Sequence, residues 1–159
     1  MTAKALDILE DSLKRKLGIM LMIQEENTKQ SRILSDIGNV DSNAFDKTLD
    51  IKGEYIDELN AIDDGFQALF DRVKLEVADR KDLYLNQIDR MQKLIREITA
   101  AGELIETQER NNKSLAEKYF SYERAKMSTG KKNSIAAFNY YQTMSNSKDI
   151  PPQFMDQKN

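Results

Sequence analysis

The chain has 159 residues, 32% of them charged and 40% hydrophobic, with a net charge of −3 and neither cysteine nor histidine. Disulfides, thiol chemistry and the commonest metal ligand and general base are thereby excluded. An acidic balance without a Lys/Arg stripe also argues against binding nucleic acid, whose phosphates require a basic face.

Both prolines sit near the C-terminus, at Pro151 and Pro152, so proline interrupts nothing upstream. Over most of the chain apolar residues recur every three or four positions, the period of helices that bury one stripe against other helices. The spacing predicts an all-α, elongated, antiparallel three-helix bundle of coiled-coil character over residues 1–127. A short tail with helical and extended pieces follows over 128–159.

The first helix is expected over about 3–37, with Thr2 as its N-cap and Gly38 as a left-handed stop. Within it, Lys14-Arg15-Lys16 precedes the apolar run Leu17 to Ile23, a superficial likeness to a secretory leader. The run is short, lacks a small-residue cleavage site and cannot cross a bilayer, so a core helix and a cytoplasmic protein without membrane insertion are expected. Gly38 to Ser42 forms the connector. Asp41 is the expected N-cap of the second helix, and Val40 with Phe45 occupies the two positions of a hydrophobic staple.

The second helix is expected over about 42–78, carrying Phe45, Leu49, Ile56, Leu59, Phe66, Phe70, Val73 and Val77 on one seam. Gly65 offers an earlier stop, but a third helix of about sixty residues would then extend about 90 Å, half of it unpaired. A break within Ala78 to Asp82 gives three rods of comparable length. The third helix, about 82–127, carries Tyr84, Ile88, Met91, Ile95, Ile98, Gly102, Ile105, Glu109, Asn112, Ala116 and Tyr119. Pairs four residues apart, such as Glu10 with Lys14 and Glu106 with Arg110, read as solvated faces contributing a few tenths of a kcal/mol each.

In the tail, a short amphipathic helix is expected over about 133–144, with Phe138 and Tyr141 on its apolar side. The stretch Ile150 to Met155 reads as an extended Pro-Pro anchor presenting Phe154 and Met155.

No catalytic constellation emerges. Ser128-Thr129-Gly130-Lys131-Lys132 has one glycine, follows a helix and lacks the hydroxyl after its lysine, so it is not a phosphate loop. Asp63-Asp64-Gly65 is no calcium loop because Ile62 stands where an oxygen donor is needed. No enzyme activity, cofactor or metal is expected.

The seams share one irregularity. On the first helix Gln24, Asn27 and Ser31 replace apolar residues, and stacking the helices from their ends brings Lys52 and then Gly102, Glu109 and Asn112 to about the same height. Three readings stand: a polar layer that sets register, a splayed and wet region, or an under-packed end that admits a partner helix.

The stretch Phe45-Asp46-Lys47-Thr48-Leu49-Asp50-Ile51-Lys52-Gly53-Glu54-Tyr55-Ile56 through Leu59, Asp63 and Phe66 resembles the second helix of the FlgN-type flagellar export chaperones. The long third helix, with Gln and Ile heptads over Ile88 to Glu109, is similar too. The resemblance covers most of residues 3–127 and leaves out the tail from Ile135 to Met155. It implies a cytosolic type III secretion chaperone that holds hook–filament junction proteins and delivers them to export-gate or export-ATPase components. Cargo would be gripped through its C-terminal amphipathic helix by the latter part of the last helix, here the region of Leu104, Ile105, Gln108, Asn112, Leu115, Tyr119 and Tyr122. Phe138, Tyr141, Phe154 and Met155 would cover the groove when cargo is absent. The alternatives are a structural or regulatory coiled coil that self-associates, and a chaperone for another flagellar component such as the filament cap.

Overall fold

The structure, a computed structural model, describes residues 2–127, 138–140 and 142. Three helices dominate it: α1 (Thr2–Leu34), α2 (Ser42–Asp79) and α3 (Leu85–Lys126). They pack as a three-helix bundle, and there is no strand among the described residues. No described helix is long and apolar enough to cross a membrane.

The chain runs up, down and up, so α2 is antiparallel to α1 and α3, and α1 and α3 are parallel. The register is fixed by pairs on facing helices: Glu10 with Arg90, Gln24 with Gln108 and Asn27 with Asn112 between α1 and α3, and Lys16 with Asp63 and Gln30 with Thr48 between α1 and α2. The helix α1 lies closely against both neighbours. The backbones of α2 and α3 approach one another far less and meet through long side chains.

The first corner departs from the expected glycine stop. The helix ends at Leu34, not Ile37, and no described residue has positive φ, Gly38 included. Local hydrogen bonds replace the glycine cap: the Ser35 hydroxyl and amide both donate to the Arg32 carbonyl, and Asn39 closes a 3-10 turn over Ile37–Asn39 by donating to Asp36. Such short polar side chains compete with the helix for its own backbone groups. Asp41 does cap α2, accepting from the Ala44 amide at 3.1 Å, and Val40 packs in the same cluster as Phe45.

At the second corner α2 runs unbroken through Gly65, whose Cβ position is open space, and ends at Asp79. A 3-10 turn over Lys81–Leu83 then delays the start of α3 to Leu85, three residues after the expected 82. The helix ends at Lys126.

The interior holds two apolar clusters. The larger, toward the α2–α3 corner, contains Leu6, Leu9, Leu13, Met20 and Ile23 of α1, Leu59 and Phe66 of α2, and Met91, Ile98, Ala101 and Ile105 of α3. The smaller, at the α1–α2 corner, is aromatic: Phe45 meets Tyr119 and Phe120 edge-on at 6.2 and 6.0 Å, beside Leu34, Leu49 and Ala116. Edge-to-face rings add to the gain from burial alone.

Candidate functional site

Between the two apolar clusters lies a buried polar layer. Gln30, at its centre, donates from Nε2 to the Thr48 hydroxyl at 3.0 Å and accepts at Oε1 from Lys52 Nζ (3.1 Å) and Asn112 Nδ2 (3.0 Å). Lys52 also pairs with Glu109. Asn112 donates to the Asn27 carbonyl, Asn27 donates to Gln108 Oε1, and Gln108 donates to the Gln24 carbonyl. Lys52 and Gln30 are fully buried and Asn27 and Asn112 nearly so, which rules out a splayed, wet region in this structure. Burial pulls the Lys52 ammonium below its ordinary range, and the Glu109 and Glu26 carboxylates oppose that pull.

This layer locks three helices in one register, because a one-turn slip would leave a buried ammonium and a buried carboxylate unpaired. Its satisfaction is incomplete. Asn27 Oδ1 and Glu26 Oε2 are buried without a hydrogen-bond partner.

The residues expected in the layer sort unevenly. Asn27, Lys52 and Glu109 belong to it. Gln24 is half-buried and contributes its carbonyl, and Ser31 is half-buried outside the hydrogen-bonded set. Gln30 and Thr48, absent from the sequence reading, take the central places. The signal for Gln30 was its spacing, since Met20, Ile23, Asn27, Gln30 and Leu34 are separated by 3, 4, 3 and 4 residues.

A second ion pair, with its lysine buried and its aspartate half-buried, lies on the same stripe. Lys16 Nζ meets Asp63 Oδ1 at 2.6 Å with Lys16 almost wholly enclosed. Burial pushes each group toward its neutral form, and the hydrogen bond between them resists this. Glu10, read as half of a solvated pair with Lys14, is instead buried. Arg90 grips it from α3 through two bonds of 2.9 and 3.1 Å and Gln87 adds a third, while Lys14 stands at 3.7 Å. Those hydrogen bonds hold the Glu10 carboxyl down at about 2. Helix spacing alone does not reveal a partner on another helix.

The region of α3 expected to grip cargo does not form one exposed face. Ile105 and Tyr119 are core, and Asn112 is in the polar layer. Gln108 is half-buried and committed to α1, Leu115 is half-buried against the aromatic cluster, and Tyr122 is half-buried with its hydroxyl near Gly38. Leu104 alone is exposed, at 48%. A face that supplies the bundle's own interior cannot present the same side chains to a partner while the bundle is closed.

An open apolar groove lies elsewhere, on the outer side of the α2–α3 pair. Near the second corner a groove of ≈ 680 Å³ runs between Phe70, Val77 and Ala78 of α2 and Ile88, Met91 and Ile95 of α3, with Leu6 of α1 at its floor. Lys74, Lys81 and Arg96 line its margins. It stays open because α1 fills the inner side of the α2–α3 pair and no described element covers the outer side here.

Toward the first corner the same side carries two tail residues. Phe138 meets Phe120 edge-on at 5.2 Å, and the Tyr140 hydroxyl occupies the place where a Cβ on Gly53 would stand. Gly53, mid-helix, therefore supplies a notch that any other residue would fill. Residues 138–140 and 142 are helical, within the expected 133–144. Tyr141, Phe154 and Met155 lie outside the described residues.

No family model, no curated protein and no solved structure matches this chain.

Proposed function

We propose that this protein is a non-catalytic chaperone that receives an amphipathic helix of its client along the outer α2–α3 side, in the manner of the FlgN-type export chaperones its second helix resembles. The observation that carries the reading is the half-exposed apolar strip of Phe70, Val77, Ile88 and Ile95, set between two helices that α1 holds apart. An incoming helix with apolar residues three and four apart finds there the fourth wall that the bundle lacks. Phe138, seated on Phe120 further along, supports this, since it shows that side taking an aromatic anchor.

On this reading the clients are cytoplasmic, not yet exported hook–filament junction proteins. They are bound through their C-terminal amphipathic helices and passed to export-gate or export-ATPase components. Grip along the outer α2–α3 side replaces grip by the buried face of α3.

Co-expression with a tagged junction protein, followed by size-exclusion chromatography with mass detection, tests it. A defined complex is expected, lost when the client's C-terminal helix is deleted or when Ile95→Asp charges the groove, and retained with Leu104→Asp on the far edge. Loss with Leu104→Asp but not Ile95→Asp would sink the assignment of the groove. A chain that forms the same oligomer with or without client would favour the self-associating coiled coil.

A further inference from the structure

The groove near the second corner is apolar at its floor and basic at its margins, and the end of this chain has the complementary pattern. Ile150-Pro151-Pro152-Gln153-Phe154-Met155 presents three apolar side chains between Asp149 and Asp156. The groove sets Phe70, Val77, Ile88 and Ile95 between Lys81 and Arg96, with Lys74 beside them paired to Asp71 at 3.3 Å. We propose that the segment Asp149–Asp156 of the same chain docks in this groove, with Phe154 and Met155 on the apolar floor and the two aspartates toward the basic margins.

Reach and placement support the assignment. Tyr140 already stands on the outer α2–α3 side, against Gly53. From Gly53, α2 descends to Phe70 over about 25 Å at roughly 1.5 Å per residue. Gln142 is helical, so the two residues from Tyr140 to Gln142 add about 3 Å and the eight from Gln142 to Ile150 up to about 26 Å when extended, enough for the segment to reach the groove on that side. The proline pair favours an extended rod with little conformational freedom to lose on docking.

A second copy of the chain or a client helix would have to displace this tenant. Docking then sets a threshold for client binding, because the apparent affinity falls by the fraction of molecules whose groove is occupied. The docking itself does not depend on what the client is.

The chain contains no cysteine, so two introduced thiols are its only ones. Gln153→Cys leaves Phe154 and Met155 in place, and Ala78→Cys is a small change at the groove wall. Mild oxidation of this double variant is expected to give an intramolecular disulfide at least tenfold faster than Gln153→Cys with Leu21→Cys, an exposed position on α1. Adding Phe154→Ala, or reversing charge with Lys74→Glu and Arg96→Glu, is expected to slow closure at least threefold, with helical circular dichroism unchanged. Equal rates for the two cysteine pairs would overturn the proposal, as would a disulfide found only between chains. Because no client is present, failure here leaves client binding a separate result.

Discussion

Lys52 on α2 and Glu109 on α3 form an ion pair in the bundle interior, and the side-chain oxygen of Gln30 on α1 also accepts from the ammonium. One cation is thus tied to the other two helices at the height where the two apolar clusters part. Removing one partner and removing both have different consequences. Lys52→Met alone strands a buried carboxylate and is expected to cost about 3–5 kcal/mol of unfolding free energy, whereas Lys52→Met with Glu109→Leu is expected to be neutral or stabilising by about 1–4 kcal/mol. Urea unfolding of the two variants checks this. A double variant as unstable as the single would show that Gln30 and Asn112 depend on the ion pair for their own satisfaction.

The Gly53 notch makes a second prediction whose sign depends on the tail. Alanine in place of a helix-interior glycine normally stabilises by about 1 kcal/mol. Here the new Cβ collides with the Tyr140 hydroxyl, so Gly53→Ala in the native chain is expected to gain less than this or to destabilise. In a Tyr140→Ala background the full gain should return. The coupling in that double-mutant cycle, about 0.5–1 kcal/mol, measures the docking of Tyr140 on α2. Additive effects would place Tyr140 away from Gly53.

The Glu10–Arg90 bridge predicts an acid limb in the stability profile. Hydrogen bonds from Arg90 and Gln87 hold the Glu10 carboxyl at about 2 against an ordinary 4.5. A depressed carboxyl contributes stability that is complete above its unfolded value and disappears as pH falls from about 4.5 through about 2. Glu10→Gln removes that contribution, so the gap between native and variant melting temperatures is expected to be widest near pH 6 and to close toward pH 2. A gap that stays constant across this range would assign the bridge no electrostatic role.

How much of this was legible from residues alone differs between helices. On α3 the apolar spacing identified Met91, Ile98, Ile105, Glu109, Asn112, Ala116 and Tyr119 of the buried stripe, but it passed through Gly102 where Ala101 is buried and through Ile95, which is half-buried. On α1 the buried stripe passes through Thr2, Leu6, Leu9, Leu13, Lys16, Met20, Ile23, Asn27, Gln30 and Leu34. A reading that prefers apolar residues replaces Lys16 by Leu17, and drifts one position to Gln24 and Ser31. The helix instead keeps its phase and buries a lysine and a glutamine, because α2 offers each a partner, Asp63 to Lys16 and Thr48 to Gln30. Those partners lie 47 and 18 residues away along the chain, where no local pattern can indicate them. The open α2–α3 groove was hidden for a related reason. Its residues share the seam of the core, and only the relative placement of three rods decides which flank of that seam is left uncovered.

That placement separates two adjacent positions on α3. Ile105 is packed in the larger cluster, while Leu104 is exposed one residue earlier. The exposed leucine stands one turn before Gln108, and Leu21 of α1, also exposed, one turn before Gln24; the Gln24–Gln108 contact therefore sets both leucines at one height on the α1–α3 edge. Ile105→Ala is expected to cost about 2–5 kcal/mol through lost burial and a residual cavity, and Leu104→Ala no more than about 0.5 kcal/mol. If the α1–α3 edge is instead where a client binds, Leu104→Ala will leave stability intact but weaken the complex, and Leu21→Ala will do the same. If the client uses the outer α2–α3 side, neither leucine variant will change its affinity, whereas Ile88→Ala and Ile95→Ala will weaken it by tenfold or more. Chemical denaturation and titration of these five variants with a client helix therefore separate core, edge and groove.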